Sequence, residues 1–164
     1  MSETWHRDLI AALTFALRPD FYLELGCGSL GTISKVTAKR RVGVDVTPYK
    51  SADPTIEIFT GSCNEYHAFF MLDPVPIDVL FIDSNHSKES VWEDFDHFYP
   101  YVKKNGYILL HDTAPADERA TNAGRCGTAW QAVMKIKQLP VEVLTIVQHP
   151  GLTIVRKGTA QIQW

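Results

Sequence analysis

The sequence predicts a three-layer α/β/α sandwich: one mostly parallel seven-stranded sheet, helices on both faces and an antiparallel hairpin at the C-terminal end. Three observations lead there. Short apolar runs alternate with segments of helical spacing along most of the chain. The run "IDVLFID" (77–83) is apolar almost throughout, as a parallel strand covered on both faces must be. The last two strand-like runs, "VEVLTIV" (141–147) and "LTIVRK" (152–157), are joined by only four residues, "QHPG". That is too short for a crossover, so the two are antiparallel neighbours.

The elements follow in order. Trp5, Leu9, Leu13 and Ala16 recur at helical spacing, which predicts an amphipathic helix over 4–17, stopped by Arg18-Pro19-Asp20. "FYLEL" (21–25) is the first strand. Residues 30–39 read as a helix packed behind a glycine turn. "RRVGVDV" (40–46) and "TIEIFTG" (55–61) are the second and third strands. A short helix over 64–72 is closed by Asp73-Pro74, and the fourth strand is 77–83. Val91, Phe95, Phe98 and Val102 again have helical spacing, and Asn105-Gly106 is expected to end that helix. "YILLHD" (107–112) is the fifth strand. Residues 128–138 form a further helix stopped by Pro140, with Trp130 and Met134 read as core.

With 164 residues, 45% of them hydrophobic and 21% charged, the chain can bury the core of one domain, taken as 1–164 with its core at 20–157. The net charge of −3 argues against nucleic acid as the main partner, because phosphate neutralisation needs a basic surface. Cys27, Cys63 and Cys126 lie far apart with no C-x-x-C pair, so neither a zinc site nor a disulfide framework is indicated. The opening "MSETWHRDLI" lacks the basic-then-apolar pattern of a signal peptide. No run approaches the ~18 apolar residues of a membrane helix. A soluble cytoplasmic protein with reduced thiols is expected.

The chemistry is concentrated first in "YLELGCGSLG" (22–31). Gly26, Gly28 and Gly31 have the G-x-G-x-x-G spacing that lets backbone approach a nucleotide and turn sharply. Asp45 ends the next strand, about 20 residues on, where an acid accepts hydrogen bonds from ribose hydroxyls; a solvated strand-end acid is the alternative. Glu24 lies inside the first strand, where a carboxylate is costly without a partner. A cationic ligand is one such partner; a helix lysine is another.

At these residues the chain resembles class I S-adenosylmethionine-dependent methyltransferases, and the resemblance spans roughly residues 20–157. Their first motif, E/D-x-G-x-G-x-x-G, is similar to "ELGCGSLG", which places Glu24, Gly26, Cys27, Gly28 and Gly31 at the cofactor. Their second-strand acid matches Asp45, and their third-strand adenine position matches "GSC", hence Ser62 and Cys63. The resemblance implies a Rossmann-like methyltransferase fold, with the antiparallel hairpin as its signature, and S-adenosylmethionine as cofactor.

"FIDSNHSKESVWEDFDHFYPYVKKNGYILLHDT" (81–113) resembles more narrowly a subgroup with D-G-D-H-S after the fourth strand and H/D-D after the fifth. That subgroup includes small-molecule and sugar O-methyltransferases, several of which use Mg²⁺. The matching positions are Asp83, His86, Ser87, Asp94, Gly106, His111 and Asp112; the departures are Ser84, Asn85 and Asn105. The resemblance assigns Asp83 to the cofactor as well as to catalysis, beside His86, His111 and Asp112. Asp83 and Asp112 end strands that would be neighbours, so both carboxylates lie where ligands bind in such sheets and are candidates for Mg²⁺. His86 or His111 is then the candidate base for a hydroxyl proton. Strand-end acids bonded to loop amides, and a satisfied core histidine at 111, are the alternatives. Ser87 reads as a helix N-cap.

The long polar segment 113–127 borders this site and carries Arg119 and Arg125 as candidates for an anionic substrate group. A small-molecule acceptor is expected, and the final strand, if exposed, supports a homodimer. Two other functions compete: a nicotinamide-dependent oxidoreductase, against which Glu24 and the hairpin speak, and a non-catalytic nucleotide-binding protein that keeps the fold.

Overall fold

The computed structural model describes residues 4–158. Helix α1 (Trp5–Leu17) precedes β1 (Phe21–Leu25), β2 (Arg40–Asp45), β3 (Ile56–Thr60), helix α2 (Cys63–Phe70) and β4 (Ile77–Ile82). Helix α3 (Lys88–Phe98), β5 (Val102–His111), helix α4 (Ala129–Ile136), β6 (Val141–Ile146) and β7 (Leu152–Lys157) complete it. The strands form one seven-stranded sheet in the order β3-β2-β1-β4-β5-β7-β6. Pairing is parallel from β3 through to β5, and β7 runs antiparallel to both β5 and β6. The expected sandwich with its antiparallel hairpin is therefore the observed fold. The final strand, however, lies inside the sheet, and β6 is the edge.

Period-two alternation divides the core between the two faces of the sheet. Leu23, Leu25, Leu80, Ile82, Ile108 and Leu110 pack with residues of α2, α3 and α4 on one side. Tyr22, Val79, Phe81 and Leu109 pack with Ile10 and Ile33 on the other. Every residue of β1 is buried, so the centre of the sheet is dry on both faces. The chain order reverses between β1 and β4, which opens a crevice beyond their carboxyl ends.

Four local readings are corrected. Residues 30–39 form only a 3-10 turn at Ile33–Lys35. Thr32, Ile33, Val36 and Thr37 are β-branched, Leu30 sits at φ 65°, and the Arg41 guanidinium takes the carbonyls of Ile33 and Val36. The helix expected to run through Val102 stops at Phe98; Pro100 lies in a 3-10 turn and Val102 already begins β5. Asn105, at φ 65°, and Gly106 form an irregularity inside that strand, where the β4–β5 register slips between Ile77 and Val79. Trp130 and Met134 lie on the outer side of α4, which buries Ala129, Ala132, Val133 and Ile136 instead. In α1 the fully buried stripe is His6, Ile10 and Thr14, one position round from the apolar residues that predicted the helix. Among the described residues, no helix is long and apolar enough to cross a membrane.

Candidate active site

The glycine turn leaves β1 at the switch point. Gly26 has φ 81°, and a Cβ there would overlap the backbone of Asp83 and Ser84, so the turn crosses directly over the end of β4. Gly28, at φ 46°, faces open space. Asp45 holds the turn: its Oδ2 accepts the Gly28 N–H at 2.8 Å, and its Oδ1 accepts that of Thr47 at 2.8 Å. Gly31 lies against Arg7: a Cβ there would overlap the guanidinium, which would have to shift. Cys27 packs into the sheet, its Sγ 2.9 Å from where a Cβ at Gly43 would lie, and burial pushes its thiol up to about 12. Only its backbone belongs to the turn. Ser62 is the N-cap of α2 in a reciprocal capping box with Glu65. The Cys63 thiol is likewise raised to about 12 by burial.

Two clefts meet over this turn. One, of about 430 Å³, lies between Asp45, Ser62, Cys63 and Ser84. The other, of about 740 Å³, runs on from Gly28 across Asp83, His86, His111 and Asp112. They share Gly26, Asp45 and Ser84, so they form one trough along the carboxyl ends of the strands.

Beneath the turn, Glu24 is 2% exposed and its Oε2 accepts the Tyr22 hydroxyl at 2.7 Å. Residues two apart on a strand share a face, which brings the pair together. Burial holds the Glu24 carboxyl well above the usual carboxylate range, against the Tyr22 hydrogen bond. A tyrosine hydroxyl, and no lysine, is thus its hydrogen-bond partner. Arg7 lines the larger cleft, and its Nε is buried with no hydrogen-bond partner among the described residues.

Asp83, His86, His111 and Asp112 converge as expected. His111 ends β5, and Asp112 follows at φ 59°, a left-handed conformation that non-glycine residues adopt mostly at special sites. His111 Nδ1 lies 2.9 Å from Asp83 Oδ1 and 3.2 Å from Asp112 Oδ2. Burial opposes charge on this ring, but the bonds to Asp112 and Asp83 outweigh it and raise its pKa to about 10. Burial also works against charge on Asp112, yet the His111 bond brings its pKa below the ordinary value. His86 Nε2 is 3.1 Å from Asp112 Oδ2 and 3.8 Å from Asp83 Oδ1.

The segment 113–127 is ordered back onto this group. It contains a 3-10 turn at Glu118–Thr121. The Arg125 carbonyl meets His86 Nδ1, and the Thr128 N–H donates to the His86 carbonyl at 2.8 Å. Arg125 lines the larger cleft, whereas Arg119 is exposed on an outer turn. Ser87 caps α3 as expected. Ser84 donates to the buried Asp94 at 2.5 Å, whose pKa is raised by burial.

Two residues of the site were missed in the sequence, both on α1. His6 is 4% exposed, and its Nδ1 lies 3.0 Å from His111 Nε2. Burial, with His111 alongside, pushes its pKa down to about 4. Arg7 is the other. The available signal was the spacing His6–Ile10–Thr14, which puts a titratable ring on the buried stripe.

A family model described as a methyltransferase domain matches residues 21–113. The fold is similar to that of an O-methyltransferase from Bacillus cereus in complex with SAH, with TM-score 0.70 and 14% identity over 96% of this chain and 82% of that one. It is similar also to the O-methyltransferase TomG from Streptomyces achromogenes in complex with SAM, with TM-score 0.71, 14% identity and coverage of 97% and 82%. MycE, a methyltransferase of the mycinamycin biosynthetic pathway in complex with Mg and SAH, gives TM-score 0.69 and 20% identity over 94% of this chain and 49% of that one. The chain thus spans about half the length of MycE. A protein of Acanthamoeba polyphaga mimivirus called uncharacterized protein R132 is 48% identical over 46 residues, 27% of this chain and 21% of that protein.

Proposed function

The chain belongs to the methyltransferase-domain family and has the fold of the S-adenosylmethionine-dependent enzymes, and on that premise we propose that it transfers a methyl group from S-adenosylmethionine to a hydroxyl oxygen of a small molecule or sugar. The observation that carries this reading is the single trough. Its nucleotide half, at Asp45 and Ser62, adjoins the half lined by Asp83, His86, His111 and Asp112, the two sharing Gly26, Asp45 and Ser84.

In this reading the adenine lies by Ser62 and Cys63, the ribose meets Asp45, and the methionine part crosses Gly26 and Gly28. Glu24, buried beneath the turn outside the lining of both clefts, supports the loop from below through its bond to Tyr22, and Arg7 reaches the cofactor's carboxylate. The sulfonium is already activated, so alignment supplies much of the rate. The acceptor oxygen attacks the methyl carbon, the C–S bond breaks, and its electron pair stays on sulfur as a neutral thioether. The hydroxyl proton passes to His86 Nε2, the ring being oriented by its Nδ1–H donating to the Arg125 carbonyl and the resulting imidazolium being stabilised by Asp112. His111, held as an imidazolium, fixes the two carboxylates and is not the base.

The pattern "DSNHS" at 83–87 supports the small-molecule and sugar subgroup, whose members carry D-G-D-H-S there. Asp83 and Asp112 supply two carboxylates to a cation. Magnesium needs oxygen in its remaining positions, yet imidazoles crowd both carboxylates. That donor set does not fit magnesium. The edge strand β6, with Leu144 exposed on it and Val147 just beyond, supports a homodimer. Three free cysteines support a reducing, cytoplasmic setting.

Calorimetry with S-adenosylmethionine and its demethylated product tests the reading. One-to-one binding in the micromolar range is expected. Absence of binding by both ligands overturns it.

A further inference from the structure

We propose that the stacked imidazoles of His67 and His97 form an acid-sensitive latch between α2 and α3, and that protonation of the pair parts these helices and opens the smaller cleft at their start. His67 lies on α2 and His97 on α3. Their rings are nearly parallel, 7° apart in plane, with centroids 4.3 Å apart. Phe98 meets the His67 ring at 5.2 Å in a T-shaped contact, and Tyr101 lies 6.3 Å away. His97 Nδ1 is buried with no hydrogen-bond partner among the described residues. Protonating that ring leaves a charged N–H there without an acceptor, which costs more than an unused lone pair. The pair is one of two successive rungs between the helices. Asn64 and Glu93 line the smaller cleft, and Asn64 Nδ2 donates to Glu93 Oε1 at 3.4 Å. His67 and His97 follow these residues by one helical turn, on the same faces.

Two imidazolium rings at this spacing repel each other, and no paired carboxylate offsets them. Among the described residues, the histidines that pair with carboxylates are His86 and His111. Of the acids on α3 near the pair, Glu93 is engaged by Asn64. Asp94 accepts the Ser84 hydroxyl, and burial raises its pKa. The Tyr101 hydroxyl turns to the Met71 sulfur. Burial, and then the neighbouring His97, lower the pKa of His67 against its hydrogen bond to the His97 backbone. A histidine whose folded pKa is lowered contributes its full stability above the unfolded value of about 6.5, and that contribution is lost as pH falls below it. The latch is therefore closed at neutral pH and opens on acidification. That the cleft holds adenine rests on the S-adenosylmethionine reading; the latch rests on these side chains alone.

The test uses the full chain and 5′-methylthioadenosine, which lacks the amino-acid end and so reports on the smaller cleft. Its affinity is measured by calorimetry at about pH 7.5 and about pH 5.5. Acidification should weaken binding by about threefold or more in the unaltered chain. In His97→Phe, which keeps a stacked ring that cannot ionise, the change should stay within about twofold. Proton NMR of the unaltered chain follows the imidazole C–H signals over the same range, and His67 should titrate below about 6.5. Three results overturn the proposal: no weakening in the unaltered chain, equal weakening in both proteins, or a His67 ring that titrates at or above its ordinary value. The NMR reading does not depend on the variant folding. A chain that binds neither this ligand nor the demethylated cofactor at either pH sinks the methyltransferase reading instead. The latch is then judged by the NMR titration and by the urea midpoint, which should drop further on acidification in the unaltered chain than in His97→Phe; equal drops overturn it.

Discussion

Asp45 reaches from the end of β2 to accept the backbone N–H of Gly28 at 2.8 Å. One carboxylate therefore both shapes the glycine turn and faces the cleft beside it. Asp45→Ala removes a charge-assisted bond worth about 1.5–3 kcal/mol. Affinity for the demethylated cofactor should fall by about 10- to 100-fold in calorimetry. Unchanged affinity would remove Asp45 from the site.

The glycines of the turn differ in what they tolerate. Gly26→Ala brings a Cβ into the backbone of Asp83 and Ser84 at a positive φ. It should cost about 3 kcal/mol of stability, read as a lower urea midpoint. Gly28→Ala meets nothing within 4 Å and carries only its φ of 46°. Its cost should be about 1 kcal/mol. Equal losses would mean that the turn does not cross β4 as described.

Glu24 predicts a pH dependence. Its carboxyl is raised in the folded state by burial, whereas in the unfolded chain it ionises near ~4.3. Above that value the folded state holds the proton and the unfolded state does not, so this contribution to stability falls as pH rises. Glu24→Gln cannot ionise and should flatten the decline between about pH 5 and about pH 8. Urea unfolding at the two pH values measures the difference in slope. Parallel slopes for both proteins would contradict a protonated Glu24.

Arg7 is tested by ligands that differ at one end. Arg7→Met should weaken the demethylated cofactor by about tenfold or more. Methylthioadenosine, which lacks the amino-acid end, should be unaffected. Equal weakening of both would place Arg7 outside the carboxylate subsite.

The sheet was legible because its signals are local: continuous apolar runs for β1 and β4, and a four-residue link that forces β6 and β7 together. Asp83 and Asp112 were legible because topology brings two strand-end carboxylates to one crevice, whereas His86 and His111 were picked out by the family resemblance. What escaped depended on long-range competition. The helix expected at 30–39 fails partly because Arg41, from the next strand, takes its carbonyls. The Asn105-Gly106 pair looks like a helix end but absorbs a register slip between two strands. Arg7 and His6 carry no motif; the rotation of α1 about its own axis aims them, and residues scattered over one face of the sheet set that rotation.

Because Arg7 and His6 are adjacent on α1, the cofactor end of the trough and the imidazole cluster are mounted on one rigid body. Only Arg18, Pro19 and Asp20 join that body to β1. A tilt of the helix would move both groups together. Replacements of Ile10 or Thr14, which touch no ligand, should then disturb two recognition events at once.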